Sequence, residues 1–102
     1  MSNIYYNPED FGLEVVAEIE YSSGSYEFDT RVVWKEKKGR KKFTARDSGC
    51  SCPTPFEDYN LGNIEKFNFQ TVRKEVNEEL NYEYKHITPE QAQEFLAKVR
   101  AA

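Results

Sequence analysis

The sequence is poor in the residues that carry out chemistry. Its 102 residues hold two cysteines, one histidine, one methionine and one tryptophan. Two thiols and one imidazole leave little for a metal centre or a nucleophile with its base. Neither common glycine-rich phosphate loop is present. No apolar run approaches the roughly 18 residues that a membrane span needs. The start, Met1-Ser2-Asn3-Ile4-Tyr5-Tyr6, lacks the basic lead and apolar stretch of a secretory leader. What is abundant is aromatic and charged: 15% and 31% of the chain, enough aromatic surface to bury to argue against disorder. The length suits one small domain. The expectation is a soluble intracellular domain, not an enzyme, with no cofactor, no metal and no membrane partner.

The net charge of −4 hides an asymmetry. Residues 1–30 carry seven acids and no base, residues 31–46 eight bases and one acid, and residues 47–102 six bases and ten acids. A segment of +7 is a local field, and local fields steer partners.

Periodicity gives the elements. Leu13, Val15, Ala17, Ile19 and Tyr21 alternate with mostly charged residues, as do Tyr26, Phe28, Thr30, Val32 and Trp34, then Phe43 and Ala45. Turns fall at 22–25 and at Lys38-Gly39, where glycine can take positive φ. A helix is expected over 68–81, with Asn68 as cap and Phe69, Val72, Val76 and Leu80 as its stripe. A second opens at Thr88-Pro89-Glu90-Gln91 and carries Ala92, Phe95, Leu96 and Val99. Asn7-Pro8-Glu9-Asp10 and Thr54-Pro55-Phe56-Glu57 repeat this start and predict two short turns of helix, the first stopped by Gly12. Tyr82–His86 reads either as a short fourth strand or as an extended connector. Tyr5, Tyr6, Tyr82 and Tyr84 either finish a small core or form an adhesive surface. The predicted fold is α+β: an antiparallel three-stranded meander over 12–46 with two main helices, within 67–102, packed on one face. Residues 1–11 form an N-terminal arm, and 47–66 a cysteine loop with a short helix.

Parity sets a register. Tyr21 would face Tyr26, Ile19 Phe28, Ala17 Thr30, Val15 Val32 and Leu13 Trp34; Trp34 would face Phe43 and Val32 Ala45. On the outer face Glu20 then opposes Glu27 and Glu18 opposes Asp29, while Arg31 opposes Arg46 and Lys35 opposes Lys42. Like charges set opposite one another destabilise a sheet. An open face, acidic at one end and basic at the other, is therefore a candidate docking surface for complementary charge. Its hairpin tip adds Lys37, Lys38, Arg40 and Lys41, and such a ribbon also suits nucleic-acid phosphates. Against that, Trp34 and Phe43 turn inward and the rest of the chain is acidic.

The run Asp47-Ser48-Gly49-Cys50-Ser51-Cys52-Pro53-Thr54-Pro55-Phe56-Glu57-Asp58-Tyr59 is the other unusual feature. Cys50 and Cys52 admit three readings: half of a zinc site with His86, a small strained disulfide ring, or two small side chains in a turn, the last being the simplest. Adjacent Glu57 and Asp58 serve a helix start more simply than acid–base catalysis. The run, after a basic hairpin and before Ile87-Thr88-Pro89-Glu90-Gln91-Ala92, resembles a family of small uncharacterised actinobacteriophage proteins, from about Phe11 to the last helix. The resemblance marks Cys50, Cys52, Pro53, Pro55, Phe56, Glu57, Asp58 and Tyr59, and implies a phage accessory protein acting in the host bacterial cytoplasm.

The functional expectation is a non-enzymatic module that binds a host or phage protein through the bipolar face and hairpin, with inhibition of that protein as one outcome. The alternatives are nucleic-acid binding through residues 35–42, and capture of an anionic small molecule or nucleotide beside the cysteine loop.

Overall fold

The computed structural model describes residues 2–23, 26–50 and 54–102. Four antiparallel strands, β1 (Leu13–Glu20), β2 (Glu27–Glu36), β3 (Lys42–Cys50) and β4 (Glu65–Lys66), lie in the order β1-β2-β3-β4. Two helices follow, α1 (Phe69–Leu80) and α2 (Pro89–Ala101). The α+β class and the two helices on one face agree with expectation. The fourth strand exists, but at Glu65–Lys66, where it pairs with Thr44 and Phe43; Tyr82–Tyr84 is a bend and turn, and Lys85 and His86 continue as a connector outside any regular element. β3 runs on to Cys50, so Asp47–Cys50 is strand rather than loop.

The helix starts follow their caps. The Asn68 side chain accepts the Thr71 N–H at 3.1 Å, and Thr88 and Gln91 form a reciprocal capping box. Pro8–Phe11 is a single 3-10 turn closed by Gly12 at φ 73°, and Asn7 makes no side-chain cap. The start expected at Thr54-Pro55-Phe56-Glu57 fails altogether. Phe56 sits at φ 61°, outside the right-handed helical region, and 55–58 is a turn.

The second hairpin has the expected register: Trp34 faces Phe43, Val32 faces Ala45, Arg31 faces Arg46 and Lys35 faces Lys42. The first does not. Leu13 pairs with Glu36 and Val15 with Trp34, then the register shifts, and Ala17 pairs with Val33 and Ile19 with Arg31. A bulge at Val16 is the cause. One extra residue in a strand reverses which face every later side chain points to. Leu13 thus faces one side of the sheet, while Ala17, Ile19 and Tyr21 face the other.

Both sides are covered. Ala17, Ile19, Tyr21 and Val33 pack under Val72 and Val76 of α1 and Phe95 and Val99 of α2. On the opposite side Leu13, Val32, Trp34 and Ala45 pack under Ile4 from the N-terminal arm and Phe56 from the loop after β3. The expected open face does not exist, and Trp34, Val32 and Ala45 do not lie beneath the helices. Parity groups residues by face, but it does not say which covering segment takes which face.

Candidate functional site

The bulge dismantles the expected acidic cluster. Glu18 and Glu20 turn to the side covered by the arm, where Glu18 accepts the Tyr5 hydroxyl at 2.8 Å. Glu20 accepts the Thr30 hydroxyl at 2.5 Å and the Asp29 N–H at 2.6 Å. Burial alone would raise the Glu20 carboxyl, but its hydrogen bonds to Ser22, Thr30 and Asp29 hold it below the ordinary value. Glu27 and Asp29 lie toward the helix side, so these four carboxylates do not converge.

The opposed arginines are satisfied within the fold. Glu75 of α1 takes Arg31 through two bonds, Nε at 2.9 Å and Nη2 at 2.5 Å, and also meets Arg46 at 3.3 Å and the Tyr21 hydroxyl at 2.8 Å. Arg46 is further bound by Asp29, at 2.7 Å through each of two nitrogens, and by Glu79 at 2.8 Å, with its guanidinium 4.5 Å from the Tyr21 ring centre. Hydrogen bonds to Asp29 and then Glu79 hold Arg46 well above its ordinary pKa, against the burial that lowers it. Burial lowers Arg31, and Glu75 more than offsets it. The counter-charge for this face is therefore the chain's own helix. Glu75 and Glu79 were legible as candidates: each lies three residues beyond an inward valine, Val72 and Val76, on the flank of the stripe.

The remaining cations of 31–46 divide. Lys35 pairs with Glu14 at 3.2 Å, and Lys42 donates to the Ala102 oxygen and lies 5.7 Å from the Phe67 ring centre. Lys37, Lys38, Arg40 and Lys41 stand exposed at the tip and form no ion pair among the described residues. The tip is held by Glu36, whose backbone N–H donates to the Lys41 carbonyl at 2.9 Å and whose carboxylate accepts the Lys41 N–H at 3.1 Å. Gly39 makes this possible by its size rather than by positive φ: a Cβ there would lie 2.2 Å from the Glu36 carboxylate oxygen. Lys66, beside Phe43, and Arg100, stacked 4.6 Å from the Phe69 ring centre, add positive charge at the same end of the sheet.

At the other end is a cleft of about 390 Å³ between the strand ends and the α1–α2 connector. Phe28, Ser48 and Gly49 line one side, and Tyr82, Tyr84 and His86 the other. Cys50 is exposed just beyond Gly49. Ser51, Cys52 and Pro53 lie outside the described residues.

The rest of the unusual run is a covering for the sheet. Phe56 is fully buried, stacked on Tyr5 at 5.3 Å and edge-on to Trp34 at 5.9 Å and Tyr59 at 5.1 Å. Its N–H donates to Asp47 at 2.8 Å; the Pro55 carbonyl accepts from Asn3 at 2.9 Å; the Tyr59 hydroxyl donates to the Arg46 carbonyl at 3.0 Å. Glu57 and Asp58 point to solvent. A family model described as a domain of unknown function, DUF7574, matches residues 2–102.

The chain belongs to the DUF7574 family. The match includes the arm, the sheet and both helices, so the covering seen here lies within the DUF7574 unit. Comparison with curated proteins and with solved structures finds no match. No helix among the described residues is long and apolar enough to cross a membrane.

Proposed function

We propose that this DUF7574 chain is a non-enzymatic binding module whose basic hairpin tip docks on an acidic surface of a partner protein and blocks it. One observation carries the reading. Every other cation of residues 31–46 has a partner within the fold, while Lys37, Lys38, Arg40 and Lys41 project with none among the described residues. Unpaired charge on a rigid ribbon costs little to desolvate at a rim and steers encounter with an opposite field. A protein partner fits better than nucleic acid, because no aromatic side chain stands at the tip to stack on a base; Trp34 is fully buried. The cleft beside Gly49 carries Glu27, Asp29 and Glu79 against Lys85, which disfavours an anionic nucleotide there. By the resemblance of residues 47–59, the setting is the cytoplasm of a phage-infected bacterium, and the partner a host or phage protein.

The test is affinity capture from an actinobacterial lysate with the native chain and with K37E/K38E/R40E/K41E. The expected result is a protein retained by the native chain, lost with the variant and released by salt. Identical capture by both chains sinks the proposal. Tight binding of duplex or single strands at ~50 mM salt, absent in the variant, would replace it with the nucleic-acid reading.

A further inference from the structure

The two ends of the molecule are complementary to each other. At one end is the tip with its four exposed cations. At the other, the connector presents Tyr82 and Tyr84, 56% and 68% exposed, edge to face at 5.8 Å on the wall of the cleft. Glu27 on its rim, and Glu83 between the two tyrosines in sequence, are exposed and form no ion pair among the described residues. Asp29 and Glu79 also line it but are engaged by Arg46. Aromatic faces beside unpaired carboxylates suit an ammonium or guanidinium group on an apolar stem. A volume of about 390 Å³ takes one or two such side chains but not a whole hairpin.

The tip of the same molecule cannot fill this cleft. Phe28 lines the cleft and Glu36 closes the tip, and eight residues of strand separate them by roughly 25 Å. Only a tip from another molecule can enter. We propose that the DUF7574 chain self-associates head to tail, Lys38 or Arg40 of one copy entering the tyrosine cleft of the next. Tip and cleft are different surfaces, so the contact is heterologous; each copy added leaves one tip and one cleft free, and growth is open-ended unless the rotation closes a ring.

The test needs only the purified chain, so its outcome is separate from whether a protein partner exists. Sedimentation over a concentration series at ~50 mM salt is expected to show species growing beyond a dimer, dissociating at ~500 mM. Two variants divide the contact: K38E/R40E removes the tip, and E27K/Y82S/Y84S removes the cleft. These positions are exposed, and matched thermal melts check folding. Each variant alone is expected to be monomeric, and an equimolar mixture to form a 1:1 dimer and nothing larger, because only one tip and one cleft remain competent. Lys85→Glu, which removes the lysine lining the cleft, is expected to tighten association by about threefold or more. A native chain that stays monomeric at low salt overturns the proposal, as does association that survives either variant or a mixture that fails to pair.

Discussion

Glu75 is the residue on which the helix side of the sheet depends. It touches Arg31, Arg46 and Tyr21 at once, with its side chain 18% exposed. Without it the two arginines face each other across β2 and β3 with only Asp29, Glu65 and Glu79 in reserve. Breaking one partner of a largely buried pair leaves a charge unmatched, so Glu75→Ala is expected to cost about 2–3 kcal/mol in urea unfolding. Burial raises the Glu75 carboxyl, but Arg31, with Tyr21 and Arg46, outweighs it and holds the group below 4.5. A carboxyl depressed on folding contributes stability above its unfolded value and loses it as pH falls through the folded one. Stability of the native chain should therefore fall below about pH 4.5, and Glu75→Gln should flatten that fall. Phe56 gives a second residue-level expectation. Its positive φ costs of order 1–3 kcal/mol, and the buried ring among Tyr5, Trp34 and Tyr59 offsets it. Phe56→Ala should lose about 3–4 kcal/mol. Phe56→Gly, which relieves the backbone, should be no worse than Ala, the reverse of the usual order.

At the scale of elements, the helices were the most legible part. Asn68 and Thr88 announce their starts, and Thr88→Ala should cost about 1 kcal/mol in thermal unfolding through loss of the box. The second hairpin was also legible, because Lys38-Gly39 centres its turn and every inward residue then meets an inward residue. The first hairpin was not. Val15, Val16 and Ala17 are three apolar residues in a row, and alternation through them is satisfied by either face. Only the packing of Leu13 against the arm side and Ile19 against the helix side fixes the extra residue at Val16. Deleting Val16 removes the parity switch and sends either Leu13 or the trio Ala17, Ile19 and Tyr21 to the wrong core. Val16→Ala keeps the count. The deletion should abolish the cooperative unfolding transition and the alanine variant retain it, as circular dichroism during urea titration would show.

For the whole molecule, the charge pattern was legible and its location was not. An acidic and a basic end were readable from the segment charges. That they belong to the ends of a covered sheet rather than to an open face depends on the arm and on Phe56. Neither reads as a covering layer, because Ile4 and Tyr5 lack periodicity and Phe56 resembles a helix start. Ile4, fully buried, is the arm's anchor. Ile4→Ala should cost about 2–4 kcal/mol, and the variant should bind an apolar dye that the native chain does not. Lys38 and Arg40 at the tip and Glu27, Tyr82 and Tyr84 at the cleft, by contrast, are exposed and belong to neither core, so their variants should leave the melting temperature nearly unchanged.

The bulge in β1 has one more consequence. β1 is an outer strand, and an outer strand offers its free N–H and C=O groups to any passing chain. Here that row is broken at Val16, where the pairing shifts, and is flanked by Glu14 and Glu18. A foreign strand laid along it would lose register halfway and meet carboxylates on both sides of the break. The same extra residue that divides the two cores thus spoils the template on which sheet-to-sheet aggregation would grow along β1.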